Sequence, residues 1–213
     1  MKDWTSEIGY ARRESNNMAR YSNEIHKLLV SASSHYYILN SEEIKYQKKK
    51  MDVRLEDIDR SQKNHVVHYL LIDDYSGAFY AEVHPSRKMI PVEQFLYKAW
   101  AKKADHFFCG IPEIILIPKT IKLLVTARLG PLFHSFGITP MHPSSGFDAG
   151  SRVIRTWENE ITNFWFYPKP SLFRELQLRA VQICEEANDS LDKTIAWKRN
   201  LRKLVLPSSQ FYH

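Results

Sequence analysis

The stretch HVVHYLLIDDYSGAFYAEVH, His65 to His84, limits the possible folds of this chain more than any other. Two runs rich in β-branched and aromatic residues flank Asp-Tyr-Ser-Gly, a turn sequence whose glycine can take the backbone around a corner. The pattern predicts two antiparallel strands joined as a hairpin. Asp73 and Asp74 at the head of the turn admit two readings. They form a metal-binding acid pair, or they serve the hairpin itself, with Asp side chains accepting hydrogen bonds from backbone N–H groups further along the turn. The hairpin reading is favoured.

Around this hairpin the periodicity changes. Ala19–Val30 places apolar residues at Tyr21, Ile25, Leu28 and Leu29, a spacing that predicts an amphipathic helix. KYQKKK, Lys45–Lys50, is a basic run, read as a solvated linker with a phosphate-contacting arm as the alternative. MDVRL, from Met51, reads as a short strand. PVEQFLYKAWAKKA, from Pro91, opens on proline and carries Phe95, Leu96, Ala99 and Trp100 at helical spacing. PEIILIP, Pro112–Pro118, is a short apolar strand. TIKLLVTARLGPLFHSFG reads as a helix interrupted near Gly130-Pro131 and stopped by Gly137. ITPMHP is extended, SSGFDAGS is a loop, and RVIRTWENEITNF is a helix. PSLFRELQLRAVQICEEANDSL is a long final helix. Three meandering strands followed by alternating helices and strands predict a mixed sheet with helices packed on it.

The 213 residues are enough to bury a sizeable core, and 44% are hydrophobic, which excludes a disordered chain. The net charge of +6 permits a polyanionic partner. Cys109 and Cys184 build neither a disulfide framework nor a cysteine zinc site, and both default to buried apolar residues. The longest apolar stretch, Ile111–Ile117, is far short of a membrane span and carries Glu113. With no secretory h-region, the expectation is a soluble, intracellular, cytoplasmic protein without a membrane contact. Scattered histidines, among them His65, His68, His134 and His142, read as surface or satisfied core positions.

Four stretches in order resemble the catalytic core of retroviral-type integrases and bacterial D,D-E transposases, an RNase H-like fold. HYLLIDDYSGAFYAEV looks like the second and third strands, and PEIILIPK takes the place of the fourth. FHSFGITPMHP looks like the following helix and short fifth strand. AGSRVIRTWENEI stands where the family has a glycine loop and the helix bearing its catalytic glutamate. The resemblance implies an α/β, RNase H-like, mixed five-stranded sheet flanked by helices. The divisions are an N-terminal helical extension at 1–47, a core at 48–190 and a basic tail at 191–213.

The family's activity requires three carboxylates around two divalent metals. Carried over position by position, the first falls on Asp52, the second on Pro118 and the third on Val153. Only Asp52 is an acid, with Asp74 and Asp148 as alternative metal ligands. Glu158 lies about 140° around the helix from Val153 and so is expected to face elsewhere. One carboxylate is too few oxygen ligands for two magnesium ions. No cofactor is therefore expected, with Mg or Mn only in the active alternative. The resemblance also implies DNA contact through Arg152 and Arg155, which share a helix face, and through Lys119, Lys198, Arg199 and Arg202.

The expected function is that of an integrase-like pseudoenzyme that binds DNA or joins a transposase or other recombination complex. The alternatives are an active strand-transfer enzyme with non-standard acids and a protein-interaction scaffold. FWFYP, Phe164–Pro168, reads as core packing or as an interface of a homodimer.

Overall fold

A computed structural model describes residues 19–51, 53–104, 106–142, 148–162 and 169–189. The predicted hairpin is present as β3 (Asn64–Asp73) and β4 (Phe79–Pro85), in antiparallel register from Val66 opposite Pro85 to Ile72 opposite Phe79. Asp73 shapes its turn. One carboxylate oxygen accepts from the Ser76 N–H at 2.8 Å and the Ser76 hydroxyl at 2.6 Å. Gly77 supplies the left-handed backbone, with φ of 71°.

The segment expected to be a helix is instead the longest strand, β1 (Ile25–Ile38). It lies at the centre of the sheet, antiparallel to β3 on one side and parallel to β5 (Ile114–Leu116) on the other. A strand covered on both faces carries apolar residues at both parities, so it loses the alternation that marks a half-exposed strand. Leu28, Val30 and Ala32 enter one hydrophobic cluster, while Leu29, Tyr36 and Ile38 enter the other. The register shifts between Ala32 and Tyr37. The first strand thus precedes residue 48, where the core was expected to begin.

A short β2 (Ile44–Tyr46) pairs with the end of β1, and β6 (Thr139–Met141) runs parallel to β5 at the far edge. The sheet has six strands, in the order β4-β3-β1-β5-β6 with β2 attached to β1. MDVRL does not form a strand: Leu55–Arg60 is a 3₁₀ turn. The Met51 N–H donates to Ser34 O at 2.8 Å, and Asp52 lies outside the described residues.

Among the described residues, four α-helices flank the sheet. α1 (Val92–Trp100) buries Phe95, Leu96, Ala99 and Trp100 against one face. α2 (Lys122–Ser135) runs through Gly130-Pro131 without a break, and Gly137 follows it at φ of 65°. α3 (Asp148–Ile161) and α4 (Phe173–Asn188) cover the other face through Ile154, Trp157, Ile161, Leu176 and Ala180. The helical start of α3 includes part of the predicted loop.

Candidate functional site: a buried histidine cluster

A histidine inside the apolar strand HVVHYLL must find partners or incur a desolvation penalty. His68 is fully buried on β3, facing α3. Trp157 of α3 donates its indole N–H to His68 Nδ1 at 3.1 Å. A neutral ring therefore carries its proton on Nε2. That nitrogen faces Tyr36 Oη at 3.0 Å and Glu158 Oε1 at 3.2 Å. Burial pushes the Glu158 carboxyl upward, but the attraction of His68 and the Ser33 side chain outweighs it, so the group sits below its ordinary value. β1, β3 and α3 thus share one polar knot of Tyr36, His68 and Glu158, closed by Trp157.

Glu158 corrects the expectation that it faces away. With Ile154, Trp157 and Ile161 it occupies the i, i+3, i+4, i+7 stripe of α3, turned to the sheet. Val153 is buried at the margin of that stripe, 7% exposed. The stripe is wide enough to hold both positions.

A similar arrangement occurs on the other face. His26 of β1 is fully buried, its Nδ1 accepting from the Trp100 indole at 3.3 Å and its Nε2 facing Asn23 Oδ1 at 2.9 Å. Asp73 Oδ1 lies 3.7 Å from Nε2 and accepts from the Asn23 N–H at 2.7 Å. Burial lowers His26 to about 3 and raises Asp73 to about 6.

Of the sequence-predicted site residues, the structure describes Asp74, Pro118, Lys119, Val153 and Arg155, and places Asp148 and Arg152 on α3. The first described strand is β1, whose sequence IHKLLVSASSHYYI holds no carboxylate, and Asp52 lies outside the described residues. Pro118 is buried at the end of β5, followed by exposed Lys119. Asp148 is the first residue of α3, which also carries Arg152 and exposed Arg155. Asp74 accepts from the Ala19 N–H at 3.0 Å and pairs with Lys27 Nζ at 2.5 Å. Lys198, Arg199, Arg202 and Phe164–Pro168 lie outside the described residues.

A pair of divalent cations requires several free oxygen ligands, and the described carboxylates Asp73, Asp74 and Glu158 do not supply them. Asp73 and Asp74 are committed to backbone N–H groups, Ser76 and Lys27, and Glu158 faces His68. Among the described residues, no three His, Cys, Asp or Glu side chains are grouped to hold a metal. One signal for the buried cluster is legible in the sequence, a polar ring in an otherwise apolar run. Its partners were not visible, being 32 and 89 positions away.

No protein-family model and no curated protein sequence matches the chain. Two similar solved structures are retroviral. One is a chain from the cryo-EM structure of the simian T-cell lymphotropic virus intasome in complex with PP2A regulatory subunit B56 gamma. Identity is 12% and the TM-score 0.47, over 78% of this chain and 50% of that one, so the protein spans half its length. Another is the HTLV-2 integrase catalytic core domain in complex with magnesium, in a dimeric form. It is 13% identical with a TM-score of 0.37, over 85% of this chain and 86% of that chain. These are likenesses of fold at low identity. No helix among the described residues is long and apolar enough to cross a membrane.

Proposed function

We propose that this chain is an integrase-core-like protein that does not cut or join strands by two-metal chemistry and that acts by binding DNA or by joining a recombination complex. One observation carries the reading. The first described strand has no acid, and the inward carboxylate of α3, Glu158, lies 3.2 Å from His68 in a knot closed by Trp157. The net charge of +6 and the exposed Lys119 and Arg155 support a DNA partner. A homodimer is supported by Leu178 and Val181 on α4, 72% and 52% exposed.

The test is duplex binding by fluorescence anisotropy between 50 and 200 mM salt, with strand cleavage assayed in parallel. The expected result is salt-sensitive binding and no cleavage with magnesium or manganese. Absence of binding at low salt removes DNA from the reading. Metal-dependent cleavage that is lost in Asp52→Asn or Asp148→Asn overturns the inactive assignment.

A further inference from the structure

The charges at the two ends of α4 run against the dipole of that helix. A helix favours acids in its first turn and bases in its last. α4 carries Arg174 in its first turn, and its last turn holds Glu185 and no base. Neither side chain enters a salt bridge among the described residues. Glu175, beside Arg174, is taken up at the helix start, where its carboxylate accepts from the Ser171 and Leu172 N–H groups. A helix lying antiparallel alongside reverses the mismatch. It sets Arg174 at a C-terminal end and Glu185 at an N-terminal one.

Between these charges stand the two most exposed large apolar side chains of the described residues. Leu178 is 72% and Val181 52% exposed, whereas the next, Leu39 and Phe136, reach 37%. Arg174, Leu178, Val181 and Glu185 recur at alternating spacings of four and three. On a helix of 3.6 residues per turn they fall within about 60° of arc, over about 16 Å of axis. This is the a/d spacing of a two-helix seam, here with an apolar centre and charged ends. Leu176, Ala180 and Cys184 hold the opposite side of α4 to the sheet, so the core leaves the seam uncovered. Val181 and Glu185 also border a groove of about 440 Å³ beside β4, which leaves room for a neighbouring side chain.

The seam is complementary to itself in one direction only. A two-fold axis between Arg179 and Ala180 sets Leu178 beside the partner's Val181 and Arg174 beside the partner's Glu185. Each end then joins unlike charges around a shared apolar centre. A parallel copy in register sets Arg174 on Arg174 and Glu185 on Glu185, and both ends repel.

We propose that α4 pairs antiparallel with α4 of a second copy of this chain, across the seam of Arg174, Leu178, Val181 and Glu185. The pairing rests on the homodimer reading and gives that dimer its axis. A seam of this length is smaller than a standard interface, so a dissociation constant in the micromolar range is expected. Sedimentation equilibrium over about 1–200 μM protein measures it. Arg174→Glu and Glu185→Arg each set like charges at both ends of the seam, and each should weaken the dimer at least tenfold at an unchanged melting temperature. Mixing the two variants, or combining both substitutions in one chain, sets unlike charges at both ends and should restore the parent constant. A parent that stays monomeric throughout overturns this proposal together with the homodimer reading. A parent that dimerises while either single variant keeps its full affinity, or while the mixture stays dissociated, overturns the α4 seam and leaves the homodimer reading standing.

Discussion

His26 shows how much one buried ring fixes. Held near 3 by burial, it stays neutral in the folded protein, whereas the unfolded chain protonates it at its ordinary value of 6.5. Its contribution is therefore full above 6.5 and is lost as pH falls toward 3. Over that window one proton corresponds to a slope of about 1.4 kcal/mol per pH unit. Asp73, raised from 3.8 to about 6, works in the opposite direction, and its contribution is lost as pH rises through 6. His26→Gln should thus lose less stability than the parent between pH 6.5 and 4.5, as read from urea midpoints. An equal loss would show that His26 does not set the acid limit. At this scale the sequence was legible where the chemistry is local. Asp73 and Ser76 are three positions apart, and the turn that they form could be read directly. The partners of His26 and His68 come from distant elements, Trp100 74 positions from the first and Trp157 89 from the second.

At the level of elements, the hairpin, α1, β5, β6 and the final helix were readable because each buries a single face or is bracketed by proline or glycine. β1 was not, since its two covered faces produced a chance helical spacing. Its entry is held by Asn23, at φ of 64°, whose N–H is fixed by Asp73. Gly110 packs against the same residue. It has φ of 105°, and a Cβ there would lie 2.5 Å from Asn23 Nδ2. Gly110→Ala therefore combines backbone strain with a clash and should cost about 2–4 kcal/mol in urea unfolding. A loss below about 0.5 kcal/mol would mean that the entry turn is free to move.

For the molecule as a whole, composition pointed to a basic, folded chain, and the order of elements pointed to a mixed sheet with helices. The carboxylate count depended on which segment was the first strand. The expected first strand began at Met51, whereas the first described strand begins at Ile25 and holds no acid. The chain's charge supplies the whole-molecule prediction. Lys119→Ala with Arg155→Ala should weaken duplex binding across sequences and lower the slope of log affinity against log salt by about 1 for each phosphate contact removed. An unchanged slope would place the DNA surface elsewhere.

The central position of β1 also sets a timetable for synthesis. Ile25 is made about 90 residues before its parallel partner Ile114, roughly 5–18 s earlier at ordinary translation rates. β3 and β4 emerge before β5, so the nascent chain completes an antiparallel β4-β3-β1 sheet while the β5 side of its edge strand, β1, is still bare. Slowing translation between Pro85 and Pro112 lengthens that exposure and favours association between unfinished chains, whereas the completed sheet leaves β1 no free side along its first residues.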